Sequence, residues 1–308
     1  MEKESNFNTD SAHEFDNARF KSMLLNLRYF LVGRNNELLS FEKIKRNLEL
    51  YNQRNLGIKT VRIKDIVGSL DRYKDFDSYF LPKKMSLQRR WANIHNLLVK
   101  DVILPPVKLY KVGEVYFVFD GNHRVSVSKK MGVEFIDAEV IEFSTDVKIS
   151  SDMDHNEIFI LAEREKFLNI TGLKQERPDN KMRITAPGQY DFLLGQINKL
   201  MVQMNEDKKA DEKMTTFREA SLFWYDNIYL PAIEIIKKYG ILQKFPKRTK
   251  TDLYIWINEH KRYLSLKYGR DIITKFAAQD IMKRYSRNPF NRMKLKIINI
   301  GHKNIKYD

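Results

Sequence analysis

A chain of 308 residues, 43% of them hydrophobic, can bury a substantial core, and at roughly 100–200 residues per domain it predicts two domains with room for a helical extension. The absence of Cys excludes disulfides, thiolate metal sites and thiol chemistry; the N-terminal stretch lacks the apolar core of a signal peptide, and no run approaches the ~18 apolar residues of a membrane helix. The expectation is a cytoplasmic globular protein without membrane association. Lys and Arg outnumber Asp and Glu by 55 to 40, and 17 basic against 5 acidic residues between positions 241 and 308 place +12 of the net +15 there. That distribution fits DNA as a partner, and equally an ordinary solvated surface. If DNA binds there, deleting 241–308 is expected to abolish its retention at low salt.

In chain order, Phe20, Met23, Leu24, Leu27, Phe30 and Leu31 recur at three- and four-residue spacing and predict an amphipathic helix over 20–31, closed by Gly33. A second helix is predicted from Ser40 as N-cap, with Phe41, Ile44, Leu48 and Tyr51 on one stripe and Gly57 just beyond its end. The pattern then changes to β-prone runs at Thr60–Val67, Val107–Tyr110, Val115–Phe119 and Phe135–Phe143, with a helix over Lys84–Lys100 between the first two. Three parts follow: an N-terminal helical extension over 1–58, an α+β domain over 59–145, and a basic, mostly helical domain over 146–308.

Positions 108–119 read as a β-hairpin with Gly113 in its turn, and the second strand runs directly into Asp120-Gly121-Asn122-His123-Arg124. A helix over His123–Met131 follows, ended by Gly132. A strand, a tight polar loop and a helix N-terminus can receive a phosphate, because the first turn has unpaired N–H groups and a partial positive charge. Arg124 adds a planar cationic fork, and His123 a donor, neutral or charged. The same residues also have plain structural duties: Asp120 or Asn122 as cap, Gly121 for a positive φ, His123 and Arg124 as exposed first-turn residues of little weight in folding.

Val61-Arg62-Ile63-Lys64-Asp65-Ile66, Arg72 with Phe76, a helix, Leu104-Pro105-Pro106-Val107, the hairpin, Asp120-Gly121-Asn122-His123-Arg124 and Gly132 together resemble the ParB/sulfiredoxin superfamily over about 85 of 308 residues. The resemblance implies a small mixed-sheet nucleotide-binding domain flanked by N-terminal helices and a mostly helical C-terminal domain. It implies that Gly121, Asn122, His123 and Arg124 contact phosphates, that Arg72 is a second contact, and that Asp120 shapes the loop. The implied ligand is a nucleoside di- or triphosphate, ATP, ADP or CTP, alone or with Mg²⁺. Sulfiredoxins place a catalytic Cys where this chain has Asn122, so sulfinic acid reduction is excluded. ParB partition proteins usually carry two Arg in the loop and a helix-turn-helix behind it. Here there is one Arg, with His123 in place of the other, and no clear helix-turn-helix.

The loop is also similar to that of free serine kinases of the same fold, which are thought to use a carboxylate after the first strand as base; Asp71, Asp75 and Asp77 are the candidates here, Asp71 the first choice. Turn and cap duties in SLDRYKDFDS explain the same aspartates. Two function classes therefore stay open: a nucleotide-binding, DNA-associated or regulatory module, and a small-molecule phosphotransferase.

Beyond position 145, helices are predicted over Met153–Leu168, Gln189–Met204, Phe217–Tyr239 with a break at Pro231, Thr251–Tyr268 and Met282–Lys296. Trp224, Tyr225, Tyr229, Tyr254 and Trp256 are expected to pack a core rather than to stack on bases. Thr171-Gly172, Pro187-Gly188-Gln189-Tyr190, Phe245–Thr249 and Trp256–His260 resemble the C-terminal part of uncharacterised bacterial ParB-like proteins. The six His residues show no metal-ligand spacing, so no metal site is expected.

Overall fold

A computed structural model describes residues 2–31, 36–206, 208–209, 211–269 and 272–285. Two compact units divide the chain, Met1–Ala162 and Glu163–Asp308. Gly33, expected to close the first helix, and positions 286–296 of the expected last helix lie outside the described residues.

The first unit is built on a six-stranded mixed sheet: β1 (Leu39–Ser40), β2 (Gln53–Arg62), β3 (Ile66–Ser69), β4 (Val107–Val112), β5 (Val115–Asp120) and β6 (Phe135–Phe143), in the spatial order β1-β3-β5-β4-β6-β2. The pairs β1–β3, β3–β5 and β4–β6 are parallel; β4–β5 and β2–β6 are antiparallel. One face carries α1 (Glu2–Leu31), α3 (Gln88–Val99) and α4 (Asn122–Lys130), with Phe15, Trp91, Val125 and Val127 buried against Ile66, Leu109, Val118 and Val140. The other carries α2 (Phe41–Asn47) and the start of α5 (His155–Thr171), with Phe41, Ile44, Ile158 and Ala162 against Val112, Val115, Phe117 and Phe143. Burial on both faces explains why β5 reads as a continuous apolar run.

The α+β class holds, as do the hairpin and the helix after it, while several element bounds differ. The first helix begins at Glu2 rather than Phe20, and the stripe Phe20, Met23, Leu24 and Leu27 is exposed. The face that packs is Ser11, Phe15, Ala18 and Ser22, at the same helical spacing but half serine: Ser11 Oγ bonds His95 Nδ1 (2.8 Å) and Asn96 Oδ1 (2.6 Å), and Phe15 meets Trp91 edge-on. Ser40 does cap α2, accepting from Lys43 N, but the helix ends at Asn47 and Tyr51 is exposed. Gly57 lies inside β2, and the run Thr60–Val67 divides into the end of β2, one 3₁₀ turn and the first half of β3. β2 therefore runs across position 58, the expected end of the helical extension.

The second unit holds the remainder of α5, then α6 (Leu173–Glu176), α7 (Gln189–Glu206), α8 (Phe217–Trp224), α9 (Leu230–Lys238), α10 (Lys250–Tyr268) and α11 (Thr274–Tyr285). The break expected at Pro231 takes the form of a π-helical turn, Tyr225–Tyr229, that joins α8 to α9, with Pro231 in the first turn of α9. Trp224, Tyr225, Tyr229 and Tyr254 are buried, with Trp224 Nε1 donating to Tyr254 Oη at 3.0 Å, so these aromatics are core. Thr249 and Asp252 form a capping box at the start of α10. No described helix is long and apolar enough to cross a membrane.

Candidate functional site

The parallel pairing of β3 with β5 puts Ser69 beside Val118, and the chain leaving β3 is held there by Leu70 N donating to Val118 O at 2.9 Å. Asp71 and Arg72 thus emerge at the same sheet edge as Asp120 and the loop behind it. In mixed and parallel sheets this edge, outside the carboxyl ends of strands, is where ligands collect. α3 packs beside α4, pinned by Trp91 Nε1 donating to Ser126 Oγ at 2.9 Å, and brings Arg90 and Ile94 to the same place. The result is a cavity of ≈ 180 Å³ lined by the loop Asp120–Arg124, by Asp71 and Arg72, and by Arg90, Ile94 and Phe119.

Gly121 is the N-cap of α4 at φ 104°, and no side chain caps the helix. A Cβ there would lie 2.6 Å from Val107 Cγ1, so both the dihedral and the close approach require glycine. The first intrahelical bond is Val125 N to Gly121 O, 3.0 Å, which leaves the N–H groups of Asn122, His123 and Arg124 without helical acceptors. Asn122 and His123 are themselves more than nine-tenths buried, and Asn122 Oδ1 and His123 Nδ1 have no hydrogen-bond partner among the described residues.

His123 sits edge-on to the ring of Phe76 at 5.4 Å. Burial, followed by the nearby Arg90 and Arg72 guanidinium groups, pushes its pKa down to about 4. The sequence leaves His123 neutral or charged; in the fold it is neutral at pH 7. Arg124, expected as an exposed first-turn residue, has a side chain only 14% exposed. Its guanidinium donates to the carbonyls of Pro105 and Pro106 and to Asp120 Oδ2 at 2.8 Å. The β4–β5 register brings this about, because Lys108 opposes Asp120 and so places Pro105 and Pro106 beside the helix start.

The three aspartates after β3 have different surroundings. Asp77 is fully buried and accepts from Tyr79 N and Leu81 N, both at 2.9 Å, so it fixes a turn. At Asp75 burial works against ionisation, but Lys84 (2.5 Å) and Arg72 (2.9 Å) share the carboxylate and together hold its pKa below the usual range. Asp71 is exposed, lines the cavity, and makes no hydrogen bond or ion pair among the described residues. Arg90, exposed, is likewise a cation without an ion-pair partner among them. The sequence alone does not single out Arg90, Ile94 and Phe119, since each reaches the cavity only through helix and strand packing.

No family model and no curated protein matches the chain. Among solved structures it is similar to the C2221 form of a Pnob8-like ParB-N domain, 14% identical, over 81% of this chain and 99% of that one, with a TM-score of 0.21. It is also similar to the pNOB8-like ParB N-domain, 12% identical, over 83% and 99%, with a TM-score of 0.20.

Proposed function

We propose that the chain binds a nucleotide through its phosphates, on the loop Asp120–Arg124 at the N-terminus of α4. The observation that carries the reading is the uncapped first turn of that helix, three N–H groups without acceptors, opening on a cavity to which Arg72 and Arg90 bring guanidinium groups. A phosphate supplies the missing acceptors and meets positive charge from two further elements. Arg124 serves mainly by holding the loop to Pro105 and Pro106 in the shape the anion needs. Calorimetry with ATP, ADP, CTP and GTP, with and without Mg²⁺, tests the reading. At least one should bind, and Arg90→Ala should weaken it about tenfold. No binding by any of the four at millimolar concentration would overturn it.

A second reading, a small-molecule phosphotransferase, is favoured by Asp71 alone. A base must lie near the held phosphate and be free to accept a hydroxyl proton, and of the three candidate aspartates only Asp71 combines cavity position with an unengaged carboxylate. Consumption of ATP or ADP with a free hydroxy amino acid, lost in Asp71→Asn, is the expected result under this reading. Nucleotide binding without turnover in the presence of serine leaves the binding module as the function.

A further inference from the structure

We propose that the ring of Phe119 is the platform on which the nucleobase stacks, so that the ligand is held at both ends, phosphates on the α4 N-terminus and base on Phe119. The proposal rests on the phosphate reading above and adds to it the part of the ligand that the loop does not touch. Phe119 precedes Asp120 on β5 and lines the cavity together with Ile94. Phe119 is 42% exposed although Val115, Phe117 and Val118 of the same strand are fully buried. The ring is nonetheless fixed. Tyr110 of β4 stacks on it at 5.1 Å and 19°, and Tyr110 is itself packed against Phe41 at 4.6 Å and Phe143 at 5.2 Å. An aromatic ring backed by a second ring and half exposed at the border of an anion cavity can accept a base with little loss of rotamer entropy on binding.

Size supports the same arrangement. Pockets that enclose a drug-sized ligand run to roughly 300–1,000 Å³, so a cavity of ≈ 180 Å³ has room for the phosphates and leaves the nucleoside to lie against half-exposed residues of its lining, of which Phe119 is one. Stacking tolerates any base and strengthens with ring area, so purine nucleotides should outrank pyrimidine ones.

The test is calorimetry on the full chain with ATP, CTP and inorganic tripolyphosphate, for wild type, Phe119→Ala, Phe119→Leu and Phe119→Trp. Leu keeps the apolar contact with Tyr110 and guards against a folding effect of Ala. Wild type should bind ATP roughly tenfold more tightly than tripolyphosphate, and CTP in between. The Ala and Leu variants should lose that advantage while tripolyphosphate affinity stays unchanged. Phe119→Trp should keep it, with its added indole fluorescence quenched by ATP and not by tripolyphosphate. If tripolyphosphate binds but ATP gains nothing from Phe119, or CTP outranks ATP, the stacking proposal is wrong and the phosphate reading stands. If tripolyphosphate and both nucleotides all fail to bind wild type, the phosphate reading has failed and stacking falls with it.

Discussion

The Arg124 guanidinium spans two carbonyls and a carboxylate within the folded chain itself, so its removal has a cost that does not depend on nucleotide. Arg124→Ala leaves Pro105 O and Pro106 O without their charged donor, and hydrogen bonds to charged groups are each worth ~1.5–3 kcal/mol. Urea unfolding without ligand should show a loss of about 2 kcal/mol, and Arg124→Lys should recover little of it, since an ammonium cannot reproduce the planar fork. Unchanged stability in Arg124→Ala would mean that the loop is not held this way. At His123 the residue scale also fixes a pH dependence. Its folded pKa, about 4, lies below the ordinary value of 6.5, so between those limits the unfolded chain takes up a proton that the folded one does not. The contribution is complete above pH 6.5 and is lost as pH falls towards 4. Stability should decline over that window through His123 and through His155, which burial also pushes down to about 4, and His123→Gln should make the decline shallower without removing it; an equally steep profile in the variant would place the titration elsewhere.

At the scale of elements, β5, its loop and α4 form one continuous device, and the two glycines that flank α4 separate conformational need from crowding. Gly121 combines φ 104° with a Cβ position 2.6 Å from the buried Val107, whereas Gly132, at φ 77°, has nothing within 4 Å. Gly132→Ala should therefore cost ~1–2 kcal/mol, the strain of a left-handed residue alone. Gly121→Ala should cost clearly more and also weaken phosphate binding; equal losses in urea titrations would show that Val107 yields without strain. This device was legible in the sequence because every signal in it is local: apolar strand, turn glycine, polar loop, helix, closing glycine. Other elements hid for definable reasons. β2 is exposed along nearly all its length, so Gln53–Ile58 shows no alternation to read. The packed face of α1 is half serine, while the apolar stripe beside it, at the same spacing, faces solvent. Asp71 and Asp77 are alike in sequence, and only packing separates a free carboxylate in the cavity from a buried turn residue. Arg90 reaches the site from a helix thirty positions before the loop, a distance over which no sequence period operates.

For the whole molecule, the strongest sequence signal is the excess of basic residues over 241–308, and the structure changes how it must be tested. Positions 250–268 form α10, whose Leu253, Tyr254, Ile255, Ile257 and Leu264 are buried in the second unit. Deleting 241–308 would remove part of that core, so a truncated chain that no longer stays on DNA would report unfolding as readily as a missing DNA-binding surface. Neutralising charge in the full chain avoids the difficulty. Arg287, Arg292, Lys294 and Lys296 lie outside the described residues and supply a dense part of the excess. If this segment meets phosphate backbones, the fourfold variant Arg287→Gln, Arg292→Gln, Lys294→Gln, Lys296→Gln should elute from a DNA column at lower salt. Its slope of log affinity against log salt should be shallower by ~0.9 for each phosphate that is no longer neutralised. The nucleotide affinity proposed for groups of the first unit should not move. A variant with the wild-type slope would show that these charges are solvated surface, and the DNA-associated reading would lose the feature that suggests it.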